Sequence, residues 1–99
     1  MRTEFNTLIQ SEKPVLVDFF ATWCGPCQVL GPVLKQVKDQ LGDQIKIVKI
    51  DVDKNQELAD ALRIKGLPTL MIYKEGQMIW RQSGELDANT IIGLVQEQI

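Results

Sequence analysis

The spacing of apolar residues changes period several times along the chain, and each change marks a different element. Phe5, Leu8 and Ile9 recur at helical spacing and predict a short first helix from Thr3 to about Ser11. Pro14-Val-Leu-Val-Asp-Phe-Phe20 is a near-continuous apolar run, rich in β-branched and aromatic residues. That is the pattern of a central strand covered on both faces. From Gly25 to Leu41 the residues Val29, Leu30, Val33, Leu34, Val37 and Leu41 return to helical spacing, and Gly42 supplies a stop. Pro32 falls inside this stretch, where a missing N–H should kink the helix. Ile45–Ile50 reads as the next strand, and Asp53 or Asn55 can cap a third helix through about Ile64, burying Leu58 and Leu62. Leu70–Tyr73 and Met78–Ser83 form strands about a Glu75–Gly76 turn, a hairpin. Asp87 opens a last helix with Ile91, Ile92, Val95 and Ile99 inward.

The predicted order is α-β-α-β-α-β-β-α. Strands joined through a helix should be parallel with a right-handed crossover, and the hairpin adds an antiparallel edge. The expected fold class is α/β, a central mixed sheet flanked by helices on both faces.

Composition narrows the function classes. A length of 99 residues makes a single domain over 1–99, long enough for its own core. The net charge of −2 comes from interspersed acids and bases, so no basic cluster invites nucleic acid or an anionic membrane. The longest apolar runs, such as Val15–Val17 and Leu70–Tyr73, are too short to span a bilayer. Met1–Asn6 begins no continuous apolar segment of signal-peptide length, so the expected location is cytoplasmic. The chain is expected to act as a monomer. Thiols stay reduced in that compartment, which leaves redox chemistry or metal binding for the two cysteines.

Trp23-Cys24-Gly25-Pro26-Cys27 stands where the buried strand ends and the long helix begins. A Cys-x-x-Cys beside a βαβ pattern is an established redox signal. Two residues three apart on a first helical turn bring their sulfurs within bonding reach. The helix N-terminus favours thiolate over thiol at Cys24, and thiolate is the attacking species in disulfide exchange. Pro26 costs no hydrogen bond in the first turn and stiffens the loop. Cys24 is therefore the expected nucleophile, exposed ahead of the helix, and Cys27 the shielded resolving thiol. The competing metal reading is a zinc half-site. Structural zinc wants four Cys or His ligands, and the chain has two cysteines and no histidine, so only a dimer could complete one.

Over nearly its whole length the chain resembles the thioredoxin family. The resemblance rests on Val17-Asp-Phe-Phe-Ala-Thr-Trp-Cys-Gly-Pro-Cys27, on Lys49 leading into Asp51 and Asp53, on Ile64-Lys-Gly-Leu-Pro-Thr69 and on Gly84. It implies the thioredoxin fold and a protein-disulfide reductase that maintains cell redox homeostasis. Asp18 matches the family's buried carboxylate, which exchanges a proton with the resolving thiol, and Lys49 matches that carboxylate's partner. For Lys49 a solvated strand-end lysine remains an open alternative. Pro68 matches the family's cis-proline opposite the dithiol, although Gly66-Leu-Pro alone could equally be a trans turn. Trp23, Gly25, Pro26, Leu67, Pro68 and Gly84 would then form an apolar docking patch. The resemblance implies no bound cofactor, since electrons come from NADPH through a flavin-dependent thioredoxin reductase. Implied substrates are disulfides of ribonucleotide reductase, peroxiredoxin and methionine sulfoxide reductase.

Several departures matter. The family commonly begins with a strand, and too few residues precede Phe5 for one, so four strands are expected with the first edge strand missing. Phe20 stands where a tryptophan is common, and Gln28 where a lysine often follows the second cysteine.

Overall fold

The computed structural model describes residues 2–99. Helices α1 (Arg2–Leu8), α2 (Gly25–Leu41), α3 (Gln56–Ala61) and α4 (Ala88–Gln96) alternate with strands β1 (Val15–Phe20), β2 (Lys46–Asp51), β3 (Thr69–Lys74) and β4 (Gln77–Ser83). Single 3-10 turns at Gly42–Gln44 and Val52–Lys54 lie on either side of β2. The four strands form one sheet in the order β2-β1-β3-β4. β1 and β2 are parallel, joined through α2, while β3 runs antiparallel to both β1 and β4. The mixed four-stranded sheet expected from the pattern is the one found.

Side chains alternate across each strand and divide the core in two. Leu16, Leu70 and Ile72 pack with Leu30, Leu34 and Val37 of α2 and with Ile91 and Val95 of α4. Val15, Val17, Phe19, Met71 and Tyr73 point the other way, against Phe5 of α1 and Leu58 of α3. There Phe5 meets Tyr73 edge-on at 5.5 Å between ring centroids. β1 is thus buried on both faces, which is why its sequence lacks polar alternation. That leaves Asp18 the one acid among the described residues committed to the interior, on the α2 side.

Several boundaries moved for local reasons. α3 stops at Ala61, short of the predicted Ile64, because Arg63 turns to positive φ (55°). Leu62 is accordingly half-buried, unlike Leu58. Arg81 braces that end, its guanidinium donating to the carbonyls of Leu62 (2.6 Å) and Arg63 (2.9 Å). Asp53 does not cap α3, and Asn55 occupies the N-cap without a side-chain cap bond. Asn55 instead donates to the Asp51 carbonyl at 2.9 Å. Ile99, predicted inward, lies beyond the end of α4 and is exposed, and Ile92 is half-buried. α2 runs on through Pro32, and Val29 is exposed instead of facing the core. Glu75 and Gly76 both take positive φ (53° and 83°), the two-residue turn that suits the twist of a hairpin.

Candidate functional site: a dithiol at a helix N-terminus

β1 delivers the chain to Ala21 on the sheet's buried axis, and a tight turn leads into α2. Cys24 is the N-cap of that helix. Its extended backbone (φ −86°, ψ 113°) leaves Sγ to accept the Cys27 backbone N–H at 3.2 Å. Ser, Thr, Asp or Asn usually does this with oxygen, satisfying an N–H that the helix cannot. Here sulfur occupies the place where a helix most favours negative charge. Pro26 sits in the first turn. Cys24 and Cys27 are joined as a disulfide, with Cα atoms 5.3 Å apart.

Exposure does not separate the two cysteines as the sequence led us to expect. In the disulfide state Cys24 is 5% exposed and Cys27 7%. Cys24 is packed with Ala21 and Cys27, and Phe20, Val52 and Leu67 lie against that cluster. What separates them is company. Cys24 alone holds the cap position, whereas Cys27 opens onto a cavity of about 430 Å³ lined also by Asp18, Ala21, Gln28, Gly31 and Lys49.

Asp18 is 1% exposed, and neither carboxylate oxygen has a hydrogen-bond partner. Burial pushes its carboxyl up from an ordinary 3.8 to about 6, and the positive charge of Lys49 opposes the rise. Lys49 faces Asp18 in the β1–β2 register. Its ammonium lies 5.8 Å from the centroid of the Phe20 ring, not in hydrogen-bond contact with the acid. The predicted partnership is therefore electrostatic, with no direct ion pair.

The predicted docking residues gather beside the disulfide. Leu67–Pro68 is a cis peptide bond, and Leu67 packs on the cysteine cluster. The Gly84 N–H donates to the Pro68 carbonyl at 2.8 Å, and the positive φ of Gly84 (96°) allows that turn. Gly25 and Pro26 are exposed. Trp23 is 71% exposed but held, its indole N–H donating to Asp53 Oδ2 at 2.8 Å. Asp53, read from sequence as a helix cap, is thus the indole's anchor, and no local pattern in the sequence could have shown that. Among the described residues no three Cys, Asp or Glu side chains gather as a metal site.

A mixed sheet between two helical layers, with a disulfide at a helix N-terminus beside a buried acid, is an arrangement chemically suited to thiol–disulfide exchange. Comparison with known proteins agrees. The thioredoxin family model matches residues 1–97, and the chain belongs to that family. It is 46% identical over 98 residues to the chloroplastic thioredoxin Y of Oryza sativa subsp. japonica, covering 98% of this chain and 58% of that protein. A thioredoxin-like protein of Synechocystis is 49% identical over 89 residues, 90% of this chain and 85% of the other. Among solved structures, chloroplastic thioredoxin z superposes with a TM-score of 0.87 at 38% identity, over 98% of this chain and 88% of that one. The chain thus spans little more than half of the plant relative but most of the cyanobacterial one. These kinships are to chloroplastic and cyanobacterial proteins, so the cytoplasmic location expected from the sequence gains no support from them. No helix among the described residues is long and apolar enough to cross a membrane.

Proposed function

We propose that this chain reduces protein disulfides by dithiol–disulfide exchange, with Cys24 as nucleophile and Cys27 as resolving thiol. The observation that carries the assignment is the asymmetry around the pair: Cys24 Sγ accepts a helix-terminal N–H, and Cys27 shares its cavity with an unpartnered acid. In the reduced protein the Cys24 thiolate attacks one sulfur of the substrate, and the other sulfur leaves as a thiolate that takes a proton. Ionised Asp18 then accepts the Cys27 proton, and Cys27 attacks Cys24 Sγ. The second substrate sulfur departs and is protonated. Two electrons and two protons have passed to the substrate, and the Cys24–Cys27 disulfide remains.

Trp23, Gly25, Pro26, Leu67, Pro68 and Gly84 form the surface on which the substrate lies. The chain binds no cofactor in this proposal, and a flavin-dependent thioredoxin reductase returns electrons from NADPH. Its substrates are of the ribonucleotide reductase, peroxiredoxin and methionine sulfoxide reductase class, met by a monomer in a reducing compartment, the cytoplasm. Fractionation of the source cells distinguishes that compartment from a plastid.

Insulin reduction with dithiothreitol, repeated with NADPH and a thioredoxin reductase, tests the activity and its electron source. Catalysed precipitation is expected in both arms. If neither accelerates, the proposal is wrong, and if only the first does, the electron donor is. Iodoacetamide should alkylate reduced Cys24 much faster than Cys27 near neutral pH, and the reverse order would exchange their roles. A partner module with an incidental dithiol would keep its effect in C24S/C27S, whereas a reductase loses it.

A further inference from the structure

The start of β3 carries a short hydrogen-bond relay. Thr69, fully buried, lies 2.6 Å from the Gly66 carbonyl and 2.9 Å from Ser83 Oγ. A carbonyl has no proton to give, so the 2.6 Å contact requires Thr69 to donate to Gly66. A threonine hydroxyl has one proton, which is now used. The Ser83 hydroxyl must therefore donate to Thr69. Ser83 is exposed, at the end of β4, in register with Thr69 and beside Gly84, whose N–H holds the Pro68 carbonyl. Its proton is committed inward and its lone pairs remain for a group outside.

We propose that Ser83 is a specificity-determining residue that accepts a hydrogen bond from an N–H of a docked protein disulfide. The inference rests on the docking surface proposed above and gives its rim a polarity. An extended segment crossing Leu67, Pro68 and Gly84 would meet one fixed acceptor at position 83, so a segment offering an N–H there is preferred over one offering a carbonyl. A disulfide too small to reach position 83 does not sense it.

The test uses the prereduced protein in single turnovers against excess insulin and, separately, 5,5′-dithiobis(2-nitrobenzoic acid). Oxidation is followed by acid quench and alkylation. For S83A the half-saturating insulin concentration should rise about three- to tenfold, the size of one lost hydrogen bond, with an unchanged limiting rate. The small disulfide should react as before, and S83T, which keeps the hydroxyl, should restore the insulin value. W23A is the control for the surface itself. If W23A weakens insulin reduction and S83A does not, the surface stands and the role of Ser83 falls. If neither variant separates insulin from the small disulfide, the docking surface is wrong and the inference falls with it. Equal slowing of both substrates by S83A would also overturn it, since Ser83 would then act through the dithiol.

Discussion

Asp18 and Thr69 are the two buried polar side chains among the described residues, and they are treated in opposite ways. They lie on adjacent strands one register step apart, Asp18 opposite Leu70 and Thr69 opposite Phe19, and so face opposite layers of the core. Thr69 is satisfied twice, by Gly66 and Ser83. Neither Asp18 oxygen receives a hydrogen bond from any protein group. Interiors rarely leave a polar group unpaired, because each such group costs free energy. A buried polar group that is fully bonded holds a loop in place. One left without a partner beside Cys27 is, in the proposed mechanism, the acceptor of that residue's proton, and its burial costs stability.

The largest effect that bears on this contrast comes from removing the proton that Asp18 takes in the proposed mechanism. C27S should trap the mixed disulfide on Cys24 and bring turnover to background, as intact mass of the reaction mixture would show. In that background D18N should leave the rate of mixed-disulfide formation unchanged. A further loss would mean that Asp18 serves Cys24 as well, and the division of roles would need redrawing. With both cysteines present, D18N should slow release of the reduced substrate about a hundredfold near neutral pH, the usual scale of a positioned base. Rapid-quench separation of attack from release checks which step moved.

The same substitution has an opposite effect on stability. A folded-state carboxyl raised from 3.8 to about 6 is worth about 3 kcal/mol at ~1.36 kcal/mol per unit, and burial at 1% exposure leaves little solvent to screen it. Below 3.8 the acid is protonated in both states and costs nothing, whereas above about 6 it is charged in both and the full penalty applies. Stability should therefore fall as pH rises through that window. D18N should be the more stable protein at pH 8, by up to that amount, and nearly equal at pH 3. Urea midpoints at the two pH values read this directly, and a gap that does not change with pH would break the contrast. T69V should do the reverse. It leaves the Gly66 carbonyl and Ser83 without their partner, costs about 1–3 kcal/mol, and should cost the same at pH 5 and pH 8.

Much of this contrast could be seen in the sequence, though unevenly. An acid inside Val-Leu-Val-Asp-Phe-Phe is conspicuous because its neighbours all demand burial, and Trp-Cys-Gly-Pro-Cys at a strand-to-helix junction declares its chemistry. Periodicity placed every strand within a residue or so, since two-faced burial imposes composition on β1 and β3. It misplaced the end of α3, where Arg63 turns by its backbone alone and Arg81, far along the chain, holds the turn. The roles of Thr69, Ser83 and Asp53 were not legible because each depends on a contact across the fold. Thr69 reads locally as a β-branched strand residue, and Asp53 as a cap. The exposure of Cys24 was misjudged for a different reason: the helix-cap geometry was right, but the residues that cover the sulfur, Val52 and Leu67 among them, come from distant parts of the chain.

The smallest expected effect decides what Lys49 is. Its charge lowers the Asp18 carboxyl against the pull of burial, yet it forms no hydrogen bond with the acid and rests near the Phe20 ring. An exposed ammonium acts through water as well as protein, so its influence should stay below about one pH unit. In K49M the Asp18 carboxyl should therefore titrate somewhat above about 6, and stability at pH 8 should drop by less than about 1 kcal/mol. The release step, which in the proposed mechanism needs ionised Asp18, should acquire its low-pH loss at a slightly higher pH. All three changes should vanish when K49M is made in D18N, because there is no longer a carboxylate to feel the charge. Urea midpoints between pH 5 and 8 in both backgrounds provide the measurement. An equal stability loss in both would make Lys49 a strand lysine packed on Phe20, and would leave Asp18 with burial alone to set its proton affinity.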